Sequence, residues 1–104
     1  MKTIEPKPGC LSRALEIIGD KWTPLLLRDL AHAPATFTSL EKSLATISPR
    51  TLSKRLKLLE TNEIIQKKCY CSHPPRFEYE LTPKGKDLEQ VLARMAAWGA
   101  KYSK

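Results

Sequence analysis

Apolar residues recur along this chain with two periods, and the change from one to the other locates the elements. Leu11, Ala14, Leu15 and Ile18 repeat at the i, i+3, i+4, i+7 spacing of a single helix face, which predicts a first helix from Cys10 to Ile18. Gly19-Asp20 stops it. Thr23 as N-cap and Pro24 at the first helical position predict a second helix from Thr23 to His32, with Leu26, Leu27 and Leu30 facing inward. Ala33-Pro34-Ala35 breaks the chain before a short extended Thr36-Phe37. Thr38-Ser39-Leu40-Glu41 fits the capping box S/T-x-x-E, so a third helix is expected to begin there and end near Leu44. Ser48 and Pro49 repeat the cap-then-proline signal and open a fourth helix, whose Leu52, Leu56 and Leu59 fall within about 60° of one another on a helical wheel. Two capped helices joined by a few residues are the signature of a helix-turn-helix.

After the fourth helix the period drops to two. Ile64 to Cys71 and Phe77 to Leu81 read as paired strands, the second with Phe77, Tyr79 and Leu81 on one face and Glu78 and Glu80 on the other. Pro74-Pro75 is expected to force the connection open, so that it projects as a wing. Thr82-Pro83 caps and starts a last helix to about Tyr102, in which Leu88, Val91, Leu92, Met95, Trp98 and Tyr102 form a stripe of about 120°. Part of that stripe must cover the chain's own core. A Trp and a Tyr on the last two turns, beside Gly99, exceed that need, so a homodimer is expected through this stripe, completed by Leu11 and Leu15. The fold class expected is mainly α with a small antiparallel β-wing: a winged helix-turn-helix with an added C-terminal dimerisation helix. Residues 1–9, with Pro6, Pro8 and Gly9, read as a flexible arm, and residues 10–104 as one domain ending in the dimer helix at about 83–102.

Charge turns this architecture into a function. The 104 residues suffice for one domain with a single small core, and carry a formal charge of +7. Between residues 48 and 76 stand seven basic side chains (Arg50, Lys54, Arg55, Lys57, Lys67, Lys68, Arg76) against two acidic ones (Glu60, Glu63), which is +5 of that +7. Such clustering points to a polyanion, and the order of elements makes it double-stranded DNA. An anionic membrane fits worse, because the basic helix is short and offers no Trp or Phe for insertion. No apolar run approaches the ~18 residues of a membrane span, and the first residues lack a signal peptide's apolar stretch, so a cytoplasmic location is expected.

Within the basic region, Arg50, Lys54 and Lys57 lie at i, i+4, i+7 opposite the leucine seam. Arg50, Thr51, Ser53 and Lys54, with the cap residue Ser48, are assigned to bases and nearby backbone, and Lys57 to a phosphate. Arg55 lies close to the seam, where an internal salt bridge competes with a phosphate contact. Arg76, beside the wing tip, is expected to probe the minor groove or its backbone. Lys67 and Lys68 are phosphate candidates, of which strand alternation lets only one face DNA; the competing reading is lysines guarding an edge strand.

Three cysteines, an odd number, argue against a disulfide framework. Cys10 opens the first helix, where backbone N–H groups and nearby Lys7 favour a thiolate, so it is a candidate redox sensor; a small packing residue is the plainer reading. Cys69, Cys71 and His73 alternate along one strand face like soft-metal ligands, but three ligands without a fourth more often mark ordinary strand residues. No metal and no cofactor are therefore expected. With two histidines, no glycine-rich phosphate loop and no paired carboxylates, the chain carries no candidate enzyme chemistry. A winged-helix protein–protein adaptor is the rival class, distinguished by lacking a basic face toward the groove.

Four motifs in order, Ile18-Gly19-Asp20-Lys21-Trp22-Thr23, Ile47-Ser48-Pro49-Arg50-Thr51-Leu52, Pro74-Pro75-Arg76-Phe77-Glu78-Tyr79-Glu80-Leu81-Thr82 and Trp98-Gly99, resemble the HxlR-type bacterial transcriptional regulators, winged-helix relatives of the MarR group. The likeness runs from Cys10 to Gly99. It implies a dimeric regulator of inverted repeats near promoters, often a repressor and sometimes an activator, with a small-molecule or oxidant effector in those relatives whose N-terminal cysteine senses oxidants, quinones or aldehydes. The chain departs from the family pattern at Leu11, where a proline commonly follows the cysteine, at Thr36, commonly basic, and at Glu63, commonly glycine.

Overall fold

Four helices, a strand pair and a last helix follow one another in the order the periodicity predicts, and the differences lie at their joints. A computed structural model describes residues 7–103; positions 1–6 of the expected arm lie outside the described residues. The elements are α1 (Cys10–Ile18), α2 (Thr23–His32), α3 (Phe37–Ser43), α4 (Pro49–Thr61), β1 (Ile65–Ser72), β2 (Pro75–Leu81) and α5 (Pro83–Tyr102). β1 and β2 form an antiparallel two-stranded hairpin. Mainly helical, with α3 and α4 joined by a short turn and the hairpin following directly, this is a winged helix-turn-helix. No helix among the described residues is long and apolar enough to cross a membrane.

The core draws leucines from every direction. Leu26, Leu27 and Leu30 of α2 meet Leu40 of α3, Leu44 and Ile47 of the turn, Leu52, Leu56 and Leu59 of α4, and Ile64, Ile65 and Leu81 at the hairpin base. A buried leucine in such a cluster stabilises by about 2–5 kcal/mol relative to alanine. α1 adds buried Ile18, and α5 lays half-buried Leu88 and Leu92 against the cluster. A Cβ on Gly85 would collide with the Ile64 carbonyl, so only glycine lets the start of α5 close onto the joint between α4 and β1.

Three joints differ from expectation. α3 begins at Phe37 rather than after Thr38: Thr36 is the N-cap, and its Oγ1 accepts the Ser39 N–H at 3.1 Å. The cause is long-range. Ala35 forms an isolated bridge with Tyr79 (N–H to carbonyl 3.0 and 2.7 Å), which uses up the extended segment one residue early and leaves Thr36 poised as cap. Thr23 is not the N-cap of α2 but its first residue; the side chain that caps this helix is Asp20, which accepts the N–H groups of Trp22 and Thr23. The wing closes tightly instead of opening, because Ser72 pairs with Pro75 and leaves His73-Pro74 as a two-residue turn. Pro75 is tolerated there because a strand's first residue can do without a ladder N–H.

Glu63 takes φ 59°, the left-handed conformation that ends α4 and redirects the chain into the wing. A side chain there costs about 1–2 kcal/mol relative to right-handed backbone. The glycine common in the resembling family would avoid that strain. The departure at Glu63 is therefore a local cost and not a different path.

Candidate nucleic-acid interface

α4 is built to show one face. Ser48 caps it: its Oγ accepts the Thr51 N–H at 3.1 Å and donates to Thr51 Oγ1 at 2.9 Å. Pro49 occupies the first turn without needing a donor. Leu52, Leu56 and Leu59, at 0%, 2% and 0% exposure, fix the inner side. Arg50, Ser53, Lys54 and Lys57 are then forced outward and are exposed; Thr51 is half-buried, its hydroxyl engaged with the cap. Thirteen residues make a rod of about 20 Å that fits a major groove about 12 Å wide. The first turn holds no acidic side chain, so the helix dipole's positive end adds to Arg50.

The ion pairs among the described residues are Arg28–Asp29 and Arg55–Asp20. Arg55 is thus diverted inward, its Nη1 3.2 Å from Asp20 Oδ2. Asp20 also accepts the Trp22 and Thr23 N–H groups, both at 2.8 Å on Oδ1, and the Thr23 hydroxyl at 2.6 Å on Oδ2. Burial pushes this carboxyl up, but the Thr23 and Trp22 hydrogen bonds and the Arg55 charge outweigh it, and its pKa falls below the ordinary carboxylate value. From the sequence Asp20 is legible only as part of a helix stop. The signal available in the sequence was an Asp three residues before Thr23-Pro24, and its partner Arg55 lies 35 positions away.

On the wing, Lys67, Lys68 and Arg76 are all exposed. Lys67 stands opposite Tyr79, with Nζ 5.3 Å from the Phe77 ring centre and 6.0 Å from that of Tyr79, within cation–π reach. Lys68 stands opposite Glu78 on the other face, beside the Gln66–Glu80 hydrogen bond of 2.7 Å. The two lysines therefore point apart, as alternation requires. A β-bulge leaves Tyr70 unpaired: Cys69 pairs with Phe77 but Cys71 with Arg76. Since Phe77 and Arg76 are adjacent, the bulge puts the two cysteines on opposite faces, which corrects the expectation of one face shared by Cys69, Cys71 and His73. Cys69 Sγ turns to the Cys71 carbonyl at 3.1 Å and Cys71 Sγ to the His73 carbonyl at 4.0 Å. No three His, Cys, Asp or Glu side chains among the described residues gather as metal ligands would.

Large apolar side chains are also exposed on α1 and α5. Leu11 and Leu15 of α1 and Val91, Met95, Trp98 and Tyr102 of α5 are exposed, Leu11 at 74% and Trp98 at 69%. Leu88 and Leu92, of the same α5 stripe, pack half-buried on the chain's own core. The Trp98 and Tyr102 rings lie 5.3 Å apart. Cys10, first residue of α1, is exposed. A groove of about 670 Å³ between α2 and α5, lined in part by Leu25, Arg28, His32, Leu92 and Met95, was not foreseen from the sequence.

Comparison with known proteins gives one consistent result. The model of the HxlR-like helix-turn-helix family matches residues 17–104. The HTH-type transcriptional regulator YdeP of Bacillus subtilis, itself uncharacterized, is 38% identical over 95 residues, covering 90% of this chain and 74% of YdeP. The crystal structure of a protein described as a MarR-family transcriptional regulator from Enterococcus faecalis V583 superposes with a TM-score of 0.85 at 29% identity, covering 97% of this chain and 92% of that one. The reduced form of the transcriptional regulator YodB from B. subtilis superposes with a TM-score of 0.82 at 30% identity, covering 96% and 97%. Diamide-treated and quinone-bound forms of YodB have also been solved.

The lowered Asp20 pKa fixes the sign of one pH effect. A carboxyl lower in the folded than in the unfolded chain stabilises fully above its unfolded value, near ~3.9, and loses this as pH falls through the folded value. Asp20→Asn should therefore unfold at lower urea than the wild type at pH 7, with the gap closing as the pH falls below the ordinary carboxylate value. A gap that stays constant with pH would contradict the assignment.

Proposed function

The chain belongs to the HxlR-like helix-turn-helix family, whose members are transcriptional regulators, and on that premise we propose how it acts. It binds an inverted-repeat operator as a homodimer, sequence-specifically, and represses where that operator overlaps a promoter. The single observation carrying this reading is the outer face of α4, where Arg50, Lys54 and Lys57 are exposed and outside the ion pairs of the described residues. Arg50, Ser53 and Lys54 read bases and adjacent backbone, Lys57 takes a phosphate, Ser48 and Thr51 serve from the cap, and Arg76 follows the backbone at the wing. Lys67 and Lys68 face opposite ways, so one of them at most adds a phosphate contact. Residues 10–104 act as one DNA-binding domain.

Two copies join through Leu11, Leu15, Val91, Met95, Trp98 and Tyr102, which removes from water an apolar surface that a monomer would leave exposed. Pairing also matters for affinity. A head with about three phosphate contacts binds weakly, and two heads bring about six. The exposed Cys10 at the start of α1 is the responsive group, and oxidation or alkylation there alters the dimer and releases DNA. Similarity to YodB, solved in reduced, diamide-treated and quinone-bound forms, supports this part.

A gel-shift salt titration on a duplex selected from random DNA should give a log–log slope of about −5, at least −4, from six contacts at −0.9 each. Arg50→Glu with Lys54→Glu should abolish the shift while sedimentation still finds twice the chain mass. A slope near zero, or a monomer for the wild type, would reject the reading. Diamide should release wild type from DNA and leave Cys10→Ser bound; equal responses would remove Cys10 from the mechanism.

A further inference from the structure

The proposal that α4 lies in the groove leaves open what fixes its rotation there. Its leucine seam gives depth and direction, but apolar contact is non-directional and resists rotation about the helix axis poorly. A turn of about 20° would carry a side-chain tip at the ~6 Å helix radius by about 2 Å, beyond what a hydrogen bond to a base tolerates. Something directional has to hold the face in register.

We infer that Asp20 is a positioning residue for DNA recognition, acting through Arg55 to set the rotation of α4 relative to the corner between α1 and α2. Arg55 emerges between the leucine seam and the basic face, at the rim where a tether best opposes rotation. Its Nη1 is 3.2 Å from Asp20 Oδ2. Asp20 cannot drift, because its two oxygens also hold the Trp22 and Thr23 N–H groups and the Thr23 hydroxyl, and Thr23 is fully buried. The residue before it is equally fixed: Gly19 N–H donates to the Leu15 carbonyl at 2.7 Å, and a Cβ on Gly19 would collide with that carbonyl. Leu15 belongs to the exposed face of α1, four residues from Leu11. One carboxylate therefore links the helix that carries Cys10 and the outer leucines to the helix that carries Arg50 and Lys54. A shift of α1 reaches the reading face through a path of hydrogen bonds rather than through deformable packing.

This inference rests on the reading of α4 as the groove helix, and the test separates the two. Binding is measured by fluorescence anisotropy at several salt concentrations, on the duplex selected with wild type and on a scrambled duplex of the same length. Asp20→Asn keeps an oxygen to cap α2 but removes the charge that holds Arg55. If only charge mattered, losing an anion near DNA would tighten binding to both duplexes. Positioning gives the opposite sign: Asp20→Asn loses about tenfold or more on the selected duplex, stays within about twofold on the scrambled one, and keeps the wild-type salt slope. Arg55→Gln should behave alike, again without change in slope. Should Asp20→Asn fail to fold, Arg55→Lys, which keeps the charge but not the planar fork, carries the same test with a smaller specific loss. Wild-type affinity or better for Asp20→Asn on the selected duplex overturns the inference, as does a slope reduced by about one unit per protomer in Arg55→Gln, which would make Arg55 a phosphate ligand. A wild type that does not distinguish the two duplexes refutes the reading of α4 itself.

Discussion

Three leucines decide which side of α4 meets the solvent. Leu52, Leu56 and Leu59 are buried to 2% exposure or less, and that seam decides which side of the helix turns outward, while leaving its fine rotation to directional contacts. Arg50, Lys54 and Lys57 sit on the other side because the helical repeat leaves them nowhere else. Hydrophobic burial, which knows nothing of DNA, thus aims the cations. The hairpin obeys the same constraint, since Ile64, Ile65 and Leu81 join the same core and fix the wing's base beside the end of α4.

Directional interactions refine what burial sets roughly. Ser48 settles where α4 starts, Glu63 in its left-handed conformation where it ends, and Thr82 closes the far side by donating its hydroxyl to the Glu63 carbonyl at 2.6 Å and accepting the Gly85 N–H at 3.0 Å. Asp20 is the most heavily used of these groups, gathering four contacts onto one carboxylate. The positive charge left unpaired on the outer face is then an organised surface rather than excess solvation.

How much of this could be read in advance follows from the range of each interaction. α1, α4 and α5 were legible because their caps and apolar faces are written within one or two turns of sequence. The start of α3 was not, because the bridge between Ala35 and Tyr79 that moves it joins residues 44 positions apart. Nor was the bulge at Tyr70, which arises from pairing register and splits Cys69 from Cys71. The stripe on α5 was visible as a stripe, but periodicity does not tell a helix where its own core stops. Leu88 and Leu92 turned out to serve that core, leaving Val91, Met95, Trp98 and Tyr102 outside it. For Arg55 the sequence leaves an internal partner and a phosphate both open, and Asp20 becomes visible as its partner only in three dimensions.

The central claim, that the outer face of α4 enters the major groove of duplex DNA, is tested most directly by chemical protection of guanine N7, an atom that only the major groove exposes. Dimethyl sulfate footprinting on the selected operator should find protected guanines in two clusters related by dyad symmetry, separated by about one helical turn of 10–10.5 base pairs or a whole multiple of it. Full reactivity at every guanine N7 on an occupied operator, with protection only in the minor groove, would contradict the account.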